Sequence, residues 1–237
     1  MSGNPVFVAI DTTDLNQAKG WARRLAGAVG GIKLGLEFFA AQGPAGVRAV
    51  VAEAPGLPLF LDLKLHDIPN TVAGAVRAVA PLGPRYLTVH AAGGPAMLRA
   101  AAEAAARSGE DRVKLLGVTI LTSLDAGDLR RVGFAERATA EHVAALAALS
   151  RECGLDGVIC SPHEVAALRR AMGPDFVLMV PGVRPAWADA GDQKRVMTPA
   201  EAMRAGATHL VIGRPITQAA DPAEAARRIA GELPRAA

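Results

Sequence analysis

Short runs of aliphatic and β-branched residues recur along the chain, and each is followed by a longer, alanine-rich stretch with helical spacing. The runs are Val6–Asp11, Gly31–Gly35, Leu59–Leu65, Tyr86–Ala91, Lys114–Leu121, Gly157–Ser161, Phe176–Pro181 and His209–Gly213. Most are apolar without clean alternation, as in parallel strands covered from outside by helices. The intervening stretches predict helices, among them Asp14–Val29, Thr139–Cys153 and Pro222–Leu233. Strict alternation of strand and helix predicts a parallel sheet. Eight such units within 237 residues predict a closed (β/α)8 TIM barrel, one catalytic domain over residues 1–237. Two connections look long: about Thr122 to Glu136 after the fifth strand, and about Gly182 to Val196 after the seventh. At the C-terminal ends of barrel strands, such loops carry ligand contacts.

Composition narrows the function class. Hydrophobic residues make up 51% of the chain and charged residues 21%, a balance suited to a globular enzyme with a large core. The formal charge of +3 comes without any run of Lys and Arg that would track a phosphate backbone, and aromatics are only 4%. Nucleic-acid binding through stacked bases is therefore not expected. Cys153 and Cys160 lie outside any CxxC spacing and read as reduced, packed thiols. The first apolar run is too short for a signal peptide or a membrane span, so the expected location is cytoplasmic, with no membrane partner.

The strongest chemical signal is the third run, Phe60-Leu61-Asp62-Leu63-Lys64-Leu65-His66-Asp67-Ile68-Pro69-Asn70-Thr71. Side chains alternate along a strand, so Leu61, Leu63 and Leu65 share the face that meets the helices. Asp62 and Lys64 then point into the barrel near its C-terminal rim, with Asp67 just beyond the strand end. The first run ends in Asp11, and Lys33 in the second run lies between the outward Ile32 and Leu34. Asp11, Lys33, Asp62, Lys64 and Asp67 thus form a predicted charge array at the active face of a barrel. A buried ion-pair network that only braces the barrel is the competing reading.

A second signal is Val211-Ile212-Gly213-Arg214-Pro215-Ile216 at the eighth run. Glycine lets the backbone approach a ligand, and arginine can fork onto a phosphate. The loops after strands seven and eight are the usual phosphate site of barrels. Pro181-Gly182-Val183-Arg184-Pro185 and Gly191-Asp192-Gln193 add further donors. Nucleotide P-loops, HExxH and a Rossmann glycine fingerprint are absent, and the five histidines have no metal-ligand spacing. The expected catalyst is a lysine–aspartate array working with no metal and no organic cofactor.

Across nearly its whole length the chain resembles the orotidine 5′-monophosphate decarboxylases, specifically their compact bacterial group. The resemblance rests on Ala9-Ile10-Asp11, Lys33, the Leu61–Thr71 block, Val89-His90-Ala91-Ala92-Gly93-Gly94, Leu121-Thr122-Ser123, Pro181-Gly182-Val183-Arg184, Asp192-Gln193 and Gly213-Arg214-Pro215-Ile216. It implies conversion of orotidine 5′-monophosphate to UMP and CO₂, with Lys64 as proton donor and Asp62 beside the departing carboxylate. Lys33 and Asp11 would meet the ribose side. Asp67, Ile68 and Thr71 would reach the neighbouring site of a homodimer. Thr122 or Ser123 would lie at the pyrimidine, and Gln193, Arg214 and the Gly213 backbone would hold the phosphate, with Arg184 as a lid or phosphate contact. Two alternatives remain. One is a Mg²⁺-dependent sugar-phosphate decarboxylase or synthase of the same superfamily, which resembles this fold but carries a glutamate where Lys33 stands. The other is a nucleotide-binding barrel without activity.

Overall fold

The computed structural model describes residues 3–107, 109, 112–188 and 197–234. Eight parallel strands close on themselves: β1 (Val6–Ile10), β2 (Gly31–Gly35), β3 (Leu59–Leu65), β4 (Tyr86–His90), β5 (Lys114–Val118), β6 (Gly157–Ile159), β7 (Val177–Pro181) and β8 (His209–Ile212). Neighbours in sequence pair in order, and β8 returns to β1 through Val6 opposite Leu210 and Val8 opposite Ile212. The helices are α1 (Leu15–Leu25), α2 (Leu36–Val51), α3 (Pro69–Val79), α4 (Gly94–Ala106), α5 (Ala126–Arg131), α6 (Thr139–Glu152), α7 (Val165–Met172), α8 (Pro199–Arg204), α9 (Arg214–Thr217) and α10 (Pro222–Glu232). None of the described helices is long and apolar enough to cross a membrane.

Alternation along the strands builds two cores. Val6, Val8, Ile10, Ile32, Leu34, Leu61, Leu63, Leu87 and Val89 point outward and pack beneath the helices. Phe7, Ala9, Phe60, Tyr86, Leu116, Val177, Met179 and Val211 fill the barrel interior. Phe7, Phe60 and Tyr86 meet edge to face there, with ring centroids 5.7 to 6.4 Å apart. This aromatic plug closes the lower barrel and leaves the C-terminal ends of the strands for polar groups.

Several strands stop earlier than their apolar runs suggest. β5 ends at Val118 rather than Leu121, because its partner β6 has only three residues and the pairing runs out at Val118 opposite Ile159. β1 ends at Ile10, whose partner Leu34 is the last paired position, so Asp11 lies one step past the ladder. Gly213 follows β8 as the residue that opens α9. Asp14 proves to be an N-cap rather than the first helical residue: its carboxylate accepts from the Asn16 and Gln17 N–H groups at 2.8 and 3.1 Å. The connection after β5 is not plain loop, since Asp125 and Asp128 form a capping box that starts α5. In α2 the helix breaks at Gly43, whose φ of 59° suits only glycine comfortably, just before Pro44.

Candidate active site

Each charged side chain reaches the upper barrel because of its place in a strand. Lys33 lies between outward Ile32 and Leu34 and is buried, its side chain 11% exposed. Asp11 follows inward Ala9 by two residues and stands at the rim. Gly35 leaves room for both: a Cβ there would come 3.1 Å from Lys33 Nζ and 3.7 Å from Asp11 Oδ1. Asp62 and Lys64 occupy the inward positions of β3, Asp62 between Leu61 and Leu63 and Lys64 between Leu63 and Leu65, leucines that belong to or pack against the outer core.

The four side chains form one continuous chain of opposite charges. Lys33 Nζ lies 3.2 Å from Asp11 Oδ1 and 3.8 Å from Asp62 Oδ2. Lys64 Nζ donates to Asp62 Oδ2 at 2.7 Å. Asp62 is shared between the two ammonium groups and is itself only 13% exposed. Buried charges persist when they are paired in this way. The ammonium of Lys33 thus stands between the Asp11 and Asp62 carboxylates.

The β3 backbone is irregular at this point. Leu61 pairs with Leu87 and Leu65 with Val89, so β3 takes four steps against two on β4. Lys64 absorbs the excess with φ of 49°, the one positive value at a non-glycine among the described residues. Such a conformation costs about 1–3 kcal/mol and persists only where its surroundings hold it. Thr88, fully buried on β4, contacts both ends of the irregularity. Its Oγ1 accepts from the Lys64 N–H at 2.9 Å and donates to Asp62 Oδ1 at 2.9 Å. Thr88 is absent from the residues singled out in the sequence. The signal available was a polar residue in the inward slot between Tyr86 and His90.

The array lines one wall of a cleft of about 340 Å³, a size suited to a small organic ligand. Asp11, Lys33, Asp62, Lys64, Thr122, Arg184, Gly213 and Arg214 all line it, with Val118, Ile159 and Val211 as an apolar floor. Ser123 does not, which favours Thr122 of the two candidates. Arg184 is buried, and its N–H donates to the Met197 carbonyl at 3.1 Å, fixing the chain after β7 against the start of α8. Arg214 stands exposed at the cleft, next to the bare backbone of Gly213. Asp67, Ile68 and Thr71 are not part of this cleft. They lie exposed beyond β3, with the Asp67 carboxylate turned onto the Ile68 N–H at 2.6 Å. Within one chain the array therefore holds two carboxylates, not the three expected with Asp67. Gln193 lies outside the described residues.

Two neighbours are held neutral. Burial lowers the proton affinity of His90, and the nearby His66 and Lys64 add to that effect; the His66 and His90 rings stack 5.1 Å apart. Burial drives the Cys160 thiol far above its usual range, so this cleft residue is no thiolate nucleophile. Both cysteines are buried and unbridged. Among the described residues no group of three His, Cys, Asp or Glu side chains is placed to hold a metal ion.

The sequence model of the orotidine 5′-phosphate decarboxylase / HUMPS family matches residues 4–229. The chain belongs to this family. It is 59% identical over 237 residues to an orotidine 5′-phosphate decarboxylase from Rhodospirillum rubrum, covering 98% of this chain and 95% of the relative. It is 57% identical over 234 residues to one from Paramagnetospirillum magneticum, covering 97% and 98%. The crystal structure of orotidine 5′-phosphate decarboxylase from Lactobacillus acidophilus superposes with a TM-score of 0.86 at 38% identity, over 97% of this chain and 99% of that one. The expected barrel and family are thus borne out.

Proposed function

We infer that this barrel decarboxylates orotidine 5′-monophosphate to UMP and CO₂, a step of pyrimidine biosynthesis, and that Lys64 delivers the proton. The observation that carries the reading is the Asp11–Lys33–Asp62–Lys64 chain of charges at the top of the barrel. The family description also covers hexulose-phosphate chemistry. Lys33 argues against the magnesium-dependent branch, because its ammonium already neutralises the two carboxylates a metal would bridge.

When the bond from C6 to the carboxylate breaks, its electron pair stays on the ring carbon and CO₂ departs. The charge on C6 must be stabilised electrostatically by fixed groups in a sheltered site. Lys64, held at 2.7 Å by Asp62, provides a positive charge and then transfers a proton to C6, recovering it from water. Asp62 would lie against the substrate carboxylate, and two like charges 4 Å apart repel by roughly 4 kcal/mol at an effective dielectric of 20. Loss of CO₂ relieves that contact. Asp11 and Lys33 would hold the ribose, Thr122 the pyrimidine, and Gly213, Arg214, Gln193 and Arg184 the phosphate. Phosphate binding far from C6 supplies energy for assembling the reactive geometry.

Asp67, Ile68 and Thr71 are assigned to the neighbouring site of a homodimer. Ile68 is a large hydrophobic side chain 67% exposed at the rim, and Leu36 nearby in the barrel order is 54% exposed; burying such groups favours a second copy. Two buried, unbridged thiols support a cytoplasmic setting. The test of the central role is Lys64→Ala. A positioned proton donor contributes about 10²- to 10⁴-fold, so turnover should fall by at least that factor while UMP still binds. Activity near that of the unaltered protein would remove Lys64 from the reaction.

A further inference from the structure

We propose that Thr88 is a positioning residue for this reaction: its single hydroxyl fixes both the backbone of Lys64 and the carboxylate of Asp62. The inference rests on the decarboxylase reading of the site and deepens it.

A hydroxyl has one proton to give and lone pairs to accept with. Thr88 uses both functions on the same segment. It accepts from the Lys64 N–H and donates to Asp62 Oδ1, each at 2.9 Å. Asp62 then has its other oxygen, Oδ2, directed at Lys64 Nζ at 2.7 Å and at Lys33 Nζ at 3.8 Å. The carboxylate is therefore anchored by one oxygen and works with the other. Turning it about its Cβ–Cγ bond would break the Thr88 bond and move Oδ2 away from both ammonium groups.

The backbone contact matters for a second reason. Between the Leu61–Leu87 and Leu65–Val89 pairs, β3 carries surplus chain, and Lys64 adopts a left-handed conformation unfavourable for a side-chain-bearing residue. Regular pairing with β4 does not serve the Lys64 N–H at this point; the Thr88 hydroxyl does. The position of Thr88 follows from alternation, since Tyr86 is inward and Leu87 and Val89 are outward. Its complete burial excludes exchange of these bonds with bulk water. One side chain on β4 thus sets the reach of the lysine and the aim of its aspartate together.

The test compares Thr88→Val, which keeps the shape and loses the hydroxyl, with Thr88→Ser, which keeps the hydroxyl. A displacement of about 1 Å at a reacting group can cost about 100-fold in rate. For Thr88→Val the expected result is a kcat lowered by about 10- to 100-fold, with UMP affinity changed by less than about threefold. Thr88→Ser should keep kcat within about threefold of the unaltered protein. Equal losses in Val and Ser, an unchanged kcat in Val, or UMP affinity falling in step with kcat would each overturn the proposal. If the valine protein does not fold, Thr88→Ala carries the same comparison. Insolubility of both Val and Ala beside an active Ser protein would reassign Thr88 to stability alone. An unaltered protein that consumes no orotidylate defeats the functional reading instead. The positional claim is then decided by a crystal structure of Thr88→Val, or of Thr88→Ala where valine does not fold. A Lys64 φ that leaves the left-handed region and a turned Asp62 carboxylate support it, and unchanged geometry overturns it.

Discussion

Removing the Arg214 guanidinium separates binding from chemistry. Arg214 lines the cleft beside Gly213, on β8's side of the barrel, whereas Lys64 belongs to β3. A hydrogen bond to a charged group contributes about 1.5–3 kcal/mol, so Arg214→Ala should raise KM for orotidylate by roughly 10- to 150-fold. If KM stays unchanged, the phosphate sits elsewhere. At this scale the sequence is legible where apolar residues mark one face of a strand. Asp62 and Lys64 could be assigned inward because three leucines mark the outer face of the same strand. Lys33 was legible for the same reason, flanked by Ile32 and Leu34. Thr88 was not, because threonine is an ordinary strand residue and its two bonds depend on a β3 irregularity that the unbroken run Leu59–Leu65 does not announce.

At the scale of elements, strand and helix order was readable but strand ends were not. A strand ends where its neighbour stops pairing, and that is a property of two segments: β5 is cut short by the three-residue β6. The start of β8 carries a titratable group that reports on barrel packing. His209 opens β8 at the base of the barrel, where Nε2 is 2.8 Å from the Tyr86 hydroxyl and the ring meets Phe7 edge to face. Burial lowers its pKa from 6.5 to about 4, Lys114 and Arg85 act in the same direction, and a bond with the Pro5 backbone opposes them. The unfolded chain therefore takes up this proton near the ordinary histidine value, whereas the folded chain takes it up only near pH 4. Stability from this group is complete above the unfolded value, declines as pH falls through the window between the two, and levels off below the folded value. The loss amounts to roughly 3 kcal/mol. Urea unfolding of His209→Gln and the unaltered protein at about pH 7 and about pH 4 isolates it from the carboxylates. An equal loss in both proteins would show that His209 is not held neutral by its surroundings.

At the scale of the whole molecule, the rim carries exposed residues beyond the cleft. The charge array and the arginines lie in a single cleft, while Asp67, Ile68 and Thr71 project past β3 into solvent. Closure of the barrel was legible because eight strand–helix units account for the chain. The place of Asp67 was not: it follows the last strand residue by two positions, where alternation no longer dictates direction, and its carboxylate turns onto the Ile68 N–H instead of joining the array. A homodimer with shared sites makes a specific prediction. Mixing inactive Asp67→Asn and Lys64→Ala proteins should restore activity, because a mixed dimer contains one site with an intact Lys64 and an intact partner aspartate. No recovery despite demonstrated subunit exchange would place the whole site within one chain. On the proposed function, lysine and aspartate side chains decarboxylate a nucleotide and protonate the product without a metal or cofactor. The direct test is the absorbance of orotidylate after mixing with the EDTA-treated protein. The account predicts a loss of substrate absorbance matching UMP formation at an undiminished rate. No loss, or a loss that appears only when Mg²⁺ is restored, would contradict it.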